Sequence, residues 1–274
     1  MIFDILISVV LYRNNKTELE SFLNSCNGSN LKIHLVFIDN APGQIDFDFK
    51  TLPAFAEYRP MPKNLGYGCG HNVAILDPKI SASYHLIANA DVRFTSIDLQ
   101  KIYNKMEASP NCGLLMPQVI WPDGKDQGLR KLLPSPGDLF LRRFVPGFLR
   151  FAFKKQESSY QMQIFDSKKE MLVPALSGCF MFCRSSLLRE IGGFDARFFL
   201  YLEDVDLSRR MGQTALNLYW PEVRIIHEYQ KSSYRSLKPL WLHLKSAFKY
   251  FNKHGWFFDQ ERKAINQKAM SQKQ

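Results

Sequence analysis

No stretch of these 274 residues is apolar for long enough to cross a bilayer. The longest runs are Ile5–Tyr12 and, tolerating one Ser and one Gly, Leu172–Cys183. Both fall well short of the roughly 18–20 residues a spanning helix needs. The opening Met1-Ile2-Phe3-Asp4 has no basic segment and no small-x-small cleavage site, so no signal peptide is expected. The five cysteines are odd in number and include no CxxC, which argues against a disulfide framework and for a reducing cytoplasm. Internal repeats and low-complexity tracts are absent, as are helix-turn-helix, zinc and RNA-recognition signatures, which removes the usual nucleic-acid readers. A Gly-rich loop exists, but no Gly-Lys-Ser/Thr follows it and it does not follow the first strand, so neither a Walker A motif nor a GxGxxG fingerprint is present.

What is present is an ordinary globular composition, 46% hydrophobic and 23% charged, with room for one or two domains. The net charge of +10 is uneven. Residues 227–274 hold ten Lys/Arg against three Asp/Glu, and residues 128–156 hold seven against one. Both segments are rich in aromatics (Phe140, Phe144, Phe148, Phe151 and Phe153; Trp241, Phe248, Tyr250, Phe251, Trp256, Phe257 and Phe258). Basic charge interleaved with aromatics suits a polyanionic partner that has an apolar part, either a membrane surface or nucleic acid.

The first strand is Asp4–Tyr12, a near-continuous apolar, β-branched run, as in a strand buried on both faces of a parallel sheet. Asn14/Asn15 cap a helix whose Leu19, Phe22, Leu23 and Cys26 recur at i, i+3, i+4 and i+7. Leu31–Ile38 is a second strand, so the chain opens with a βαβ unit and a right-handed crossover. Ala54–Arg59, Tyr84–Ala88 and Gly113–Ile120 read as further strands, with helices starting at Asn72 and spanning Asp98–Glu107. Residues 121–170 lose this rhythm and read as an irregular, partly helical excursion. Regularity resumes at Met171–Cys183 and a helix at Ser185–Ile191.

Ligands of open α/β sheets lie where strands end. Asp39-Asn40, Asn64–Gly70 and Asn89–Asp91 fall at such places. Singly each is a turn or helix cap; three after successive strands point to a site. Glu203, Asp204 and Asp206 put three acids into four residues. They read either as an acidic first helical turn favoured by the macrodipole, with Asp206 paired to Arg209 or Arg210, or as a reactive cluster of mutually repelling carboxyls.

These motifs, in this order, resemble glycosyltransferase family 2. The match comprises Ser8–Tyr12, Asp39-Asn40, the Asn-x-Gly-x-x-x-Gly-x-Asn-like loop Asn64–Asn72, Asn89-Ala90-Asp91, Ser177-Gly178, Gly192-Gly-Phe-Asp195, Phe199-x-Tyr-x-Glu-Asp-x-Asp-Leu207 and the downstream His227. It spans about residues 4–232, and the bacterial rhamnosyltransferases of O-antigen and cell-wall assembly are the most similar branch. The resemblance implies a GT-A, Rossmann-like, mostly parallel sheet flanked by helices over 1–232, followed by a basic, amphipathic helical extension over 233–274. It implies inverting transfer from a nucleoside diphosphate sugar, dTDP-rhamnose first, with galactofuranosyl or other hexosyl donors as alternatives. The acceptor would be an undecaprenyl-diphosphate-linked saccharide at the inner face of the cell membrane.

By the same resemblance Asp204, or Glu203 after it, would be the catalytic base. Tyr12, Asp39, Asn40, Asn64, Gly66, Gly70 and Asn89 would bind the nucleotide sugar. Asp91 and His227 would hold Mg²⁺ or Mn²⁺, and Gly178, Trp241 and Lys245 would meet the acceptor. Asn89 stands where the family has an acid, which leaves one carboxylate at the metal and keeps an inactive nucleotide-sugar-binding homologue as a second reading. Over 237–253, helical periodicity places Leu237, Leu240, Trp241, Leu244, Phe248 and Phe251 on one face, and Lys238, Lys245, Lys249 and Lys253 in a stripe beside it. That apolar face is expected either to dock on the body or to enter lipid, with the lysines facing an anionic surface.

Overall fold

The computed structural model describes residues 2–139, 154–228 and 237–272. Phe140, Phe144, Phe148, Phe151 and Phe153, the side chains of Leu237 and Lys238, and the 232/233 boundary lie outside the described residues. In the first half, β1 (Ile2–Leu11) pairs in parallel with β2 (Ile33–Asp39) and β4 (Ser81–Ala88), and β3 (Ala56–Pro60) extends β2. Between β1 and β2 runs α1 (Lys16–Cys26), started by an Asn15–Glu18 capping box and burying Leu19, Phe22, Leu23 and Cys26. Ser8, the polar residue inside β1, bonds His71 and His85 at 2.7 Å each, so no hydroxyl is stranded in the core.

The second half is mixed. β6 (Cys112–Ile120) and β9 (Leu216–His227) are parallel, while β8 (Phe180–Arg184) runs antiparallel between β4 and β6. β5 (Val92–Arg93) and β7 (Met171–Leu172) join β9 in antiparallel fashion. The order is β3-β2-β1-β4-β8-β6-β9-β5. The helices are α2 (Tyr67–Ile75), α3 (Ser96–Glu107), α4 (Lys154–Tyr160), α5 (Ser185–Glu190), α6 (Glu203–Met211), α7 (Leu237–His254) and α8 (Gln260–Met270). In the strand register Leu11 faces Asp39, Ala88 faces Phe180, and Val92 faces His227. The ends of β1, β2, β4 and β9 and the start of β8 therefore share one sheet edge.

Three expectations need correction. The helix placed at Asn72 begins at Tyr67, inside the Gly-rich loop, because Gly68 and Gly70 let it pack closely: a Cβ would come within 2.8 Å of Phe194 at the first and 2.7 Å of Val10 at the second. Met171–Cys183 divides into β7 and β8, since Pro174 lacks a ladder donor and Gly178 is held between Tyr67 and Asp204. The apolar face read over 237–253 is split, since its Phe251 docks while other members stay outside. Tyr250 and Phe251 are buried against Leu133, Phe198, Leu202 and Val205, whereas Trp241, Leu244 and Phe248 are exposed.

Charge selects that docked face. Asp206 is fully buried and accepts from Arg210 at 2.8 Å, Lys253 at 2.6 Å and His254 at 2.7 Å. Lys253 also meets Asp195 at 2.7 Å, so it is not part of a solvated lysine stripe. Arg209, equally buried, forks onto Asp259 with two 2.7 Å bonds. Burial alone would raise the Asp206 pKa, but the His254 hydrogen bond and the Arg210 and Lys253 charges hold it below the usual carboxylate range. Its stabilisation is therefore present above about pH 4 and is lost as pH falls through the depressed folded-state value. Removing the charge strands buried cations, so Asp206→Asn should lose about 3 kcal/mol in urea unfolding at pH 7. A loss under about 1 kcal/mol would show that the cluster does not hold α7 in place.

Candidate active site

A cleft of about 560 Å³ opens at that shared sheet edge. Asn89, Ser177, Gly178 and Cys179 come from the middle of the sheet, His227 from the end of β9, and Glu203 and Asp204 from the start of α6. Trp121, Gln127, Leu129 and Lys131 form one wall, from the stretch that reads in sequence as an excursion.

His227 is oriented from behind. The Gln127 amide nitrogen donates to the His227 carbonyl at 2.8 Å and to Ile120 O at 3.2 Å, which turns its oxygen toward His227 Nδ1 at 3.0 Å. In that arrangement Nδ1 carries the proton and Nε2 the lone pair. Nε2 then faces Asn89 Nδ2 at 3.4 Å and Asp91 Oδ1 at 3.3 Å. A lone pair on Nε2 beside the Asp91 carboxylate suits a cation, and a histidine whose second nitrogen is fixed by a hydrogen bond is a common form of metal ligand. Among the described residues no group of three or more His, Cys, Asp or Glu gathers in this way.

Across the cleft, Asp204 accepts from Gly178 N at 3.0 Å and from Val205 N at 2.8 Å. The Tyr67 hydroxyl donates to Gly178 O at 2.6 Å, so both sides of that residue are held. Burial, with the charges of Cys179, Glu203 and Asp204 after it, raises the Tyr67 pKa well above normal and keeps the phenol a donor. Glu203 is 5% exposed, and its Oε2 has no hydrogen-bond partner among the described residues. Burial first, and the neighbouring Asp204 second, push its carboxyl up to about 8. The three acids thus have different fates: burial favours the protonated form of Glu203, Asp204 faces the cleft, and Asp206 is sealed in ion pairs.

No family model matches the chain. It is 28% identical to the N-acetylglucosaminyl-diphospho-decaprenol L-rhamnosyltransferase of Mycobacterium tuberculosis over 214 residues, 72% of this chain and 68% of that one. It is 30% identical to the rhamnosyltransferase WbbL of Escherichia coli K12 over 197 residues, 67% of this chain and 70% of the other. The chain belongs to the rhamnosyltransferase group of glycosyltransferase family 2. The structure of GalNAc-T7 with UDP, GalNAc and Mn²⁺ superposes with a TM-score of 0.57 at 11% identity, covering 91% of this chain, which spans about half (48%) of that longer protein. At that identity the likeness speaks for the GT-A fold alone.

The other candidate residues of this glycosyltransferase are spread over β1, β2, α2 and α7. Asp39 is fully buried, accepting from Ala41 N at 2.8 Å and from the Tyr58 hydroxyl at 2.9 Å. Asn40 braces the loop, donating to Gly66 O at 2.9 Å and accepting from Leu65 N at 3.1 Å, and Asn64 accepts from Gly66 N at 2.8 Å. Gly70 lies inside α2 against Val10 rather than open to a ligand. Tyr12 is half exposed at the end of β1, with the Arg13 guanidinium 5.3 Å from its ring. Trp241 and Lys245 do not line the cleft. Both are exposed on α7, Lys245 lying 5.0 Å from the Trp241 ring, because that helix turns His243 and Ser246 inward instead. Gln127 and Trp121 carry no motif in the sequence and precede the basic segment 128–156; the loss of rhythm after Ile120 is the only sequence signal near them.

A carboxyl whose folded-state pKa lies above its unfolded one costs stability as pH rises between the two values. For Glu203 that window runs from about 4.5 to about 8. Glu203→Gln should therefore stabilise the protein by at least about 1 kcal/mol at pH 8.5 and hardly at pH 4.5. Thermal unfolding at both pH values checks this; an equal shift at the two would refute the buried neutral acid.

Proposed function

We propose that this enzyme transfers L-rhamnose, with inversion, from dTDP-rhamnose to a saccharide on undecaprenyl diphosphate at the cytoplasmic face of a membrane. The observation that carries the reading is that one cleft holds both His227, facing Asp91, and Asp204. The two relatives are rhamnosyltransferases by name, and the mycobacterial one is named for an N-acetylglucosaminyl-diphospho-decaprenol acceptor, which supports both the sugar and the lipid diphosphate.

Asp91 and His227 fit a Mg²⁺ or Mn²⁺ ion, with Gln127 fixing the histidine tautomer. When bound, such an ion offsets the charge that develops on the leaving diphosphate. The chain's own groups perform the remainder. Asp39, Tyr12 and the loop braced by Asn40 and Asn64 hold the nucleoside end. The acceptor oxygen bonds to the anomeric carbon as the bond to the diphosphate oxygen breaks, and its proton passes to Asp204. Asp204 is preferred to Glu203 as the base, because burial and the neighbouring Asp204 charge both favour the protonated form of Glu203. Asp204→Asn keeps an oxygen for Gly178 N–H, so dTDP affinity should hold while rhamnosyl transfer falls about 10²–10⁴-fold. Undiminished turnover in purified Asp204→Asn would remove Asp204 from this role.

The membrane belongs to the same reading. Among the described residues no helix is long and apolar enough to cross a bilayer. Trp241, Leu244 and Phe248 nevertheless stand exposed along α7, with Phe257 and Phe258 beyond its end, in a segment that carries a net +7 over residues 227–274 (ten basic, three acidic). An apolar ridge on a basic segment suits an anionic interface. Trp241→Ser with Phe248→Ser should cut co-sedimentation with phosphatidylglycerol vesicles several-fold. Because both side chains are more than half exposed, Tm should hardly move. Unchanged vesicle binding would leave the ridge without a lipid role.

A further inference from the structure

Tyr201 and Leu202 both occupy left-handed backbone, with φ of 72° and 64°, immediately before Glu203 and Asp204. A side chain there brings Cβ close to the following carbonyl oxygen, so the conformation is disfavoured relative to the right-handed form. Two such residues in succession persist only where their surroundings over-determine them. One half of that constraint comes from the Gly-rich loop. Tyr67 N–H donates to Phe199 O at 2.9 Å, and Gly66 lies so close to the same oxygen that a Cβ would overlap it.

The other half comes from the C-terminal helix α7. The Ser246 hydroxyl, buried at 4% exposure, donates to Leu200 O at 2.7 Å. The His243 ring lies 5.3 Å from the Tyr201 ring, which itself lines the cleft. Lys249 Nζ donates to Arg197 O, and Lys253 joins Asp195 to Asp206. Each of these polar and ring contacts falls on the segment Asp195–Asp206 that leads into and through the acidic turn.

We infer that α7 is a positioning element of the catalytic turn, with Ser246 and His243 as positioning residues that set where the Asp204 carboxylate stands in the cleft. This rests on Asp204 being the base. The hydroxyl matters because it supplies the only side-chain donor observed on Leu200 O among the described residues, one peptide before the left-handed pair. Without it the pair has fewer constraints, and Asp204 samples positions away from the acceptor hydroxyl. Catalysis then suffers more than binding, since the nucleotide subsite lies on β1, β2 and α2.

The test compares Ser246→Ala, Ser246→Thr and, as a control on the exposed side of α8, Lys263→Gln. Four quantities are measured: steady-state transfer from dTDP-rhamnose to an N-acetylglucosaminyl-diphospho-lipid in detergent, dTDP affinity, Tm, and amide hydrogen exchange over residues 199–205. Ser246→Ala should lower kcat about tenfold, equivalent to about 1.4 kcal/mol. The KM for donor and the dTDP affinity should stay within about twofold, and exchange at Tyr201–Val205 should quicken. Ser246→Thr, which keeps the hydroxyl, should recover most of kcat, and Lys263→Gln should match wild type throughout. Wild-type kcat with wild-type exchange in Ser246→Ala overturns the inference, as does a parallel fall of kcat, dTDP affinity and Tm. If the wild-type protein transfers no rhamnose, the functional reading fails instead, and the exchange measurement alone still decides the positioning role.

Discussion

A carboxylate cannot be taken out of water without cations around it, and Asp206 is entirely out of water. Arg210 comes from its own helix, but Lys253 and His254 come from a segment almost fifty residues further along the chain. The first turn of α6 therefore depends on α7 for its electrostatics, and α7 depends on α6 for its place. Tyr250 and Phe251 fill the space between them. With α6 held from behind, Asp204, two residues earlier, is left on the open side facing the cleft. The active site and the C-terminal extension are thus parts of one packing problem rather than a catalytic body with an appendage.

That dependence explains which features the sequence shows and which it hides. Strand ends are visible, because buried parallel strands are continuous apolar runs and the polar residue ending each stands out, as at Asp39 and Asn89. The α1 face is visible because Leu19, Phe22, Leu23 and Cys26 keep the helical spacing. The acidic turn is visible as a cluster, yet its division of labour is not, since what separates Glu203 from Asp206 is a set of partners distant in sequence. The docked face of α7 is hidden for a related reason. Periodicity groups Trp241, Leu244 and Phe248 with Phe251, while docking takes Phe251 and leaves those three exposed, so that His254 and Lys253 reach Asp206. Gly68 and Gly70 look like loop residues because composition does not distinguish a flexible glycine from one that lets a helix approach a neighbour.

The cleft wall from Trp121 to Lys131 follows no period and has no local signature, but its place comes from topology. β6 ends at Ile120 beside β9, whose last residue is His227. Whatever leaves β6 must pass His227, and Gln127 is the residue that does so, fixing the ring from behind while Trp121 and Lys131 line the opening. Gln127 bonds the His227 ring directly, whereas Ser246 of α7 bonds Leu200 O, four residues before Asp204, so the excursion and α7 each brace one side of the cleft from outside the sheet. The shared sheet edge brings the groups within one cleft, and these outer segments decide which way they point. The single carboxylate at Asp91 is intelligible on the same terms: with Asn89 beside it, the second donor atom at this position is a histidine nitrogen whose tautomer Gln127 dictates. If the proposed cation and diphosphate bind there, an amide rather than an acid at position 89 gives the cation less negative charge and repels the diphosphate less, two effects of opposite sign.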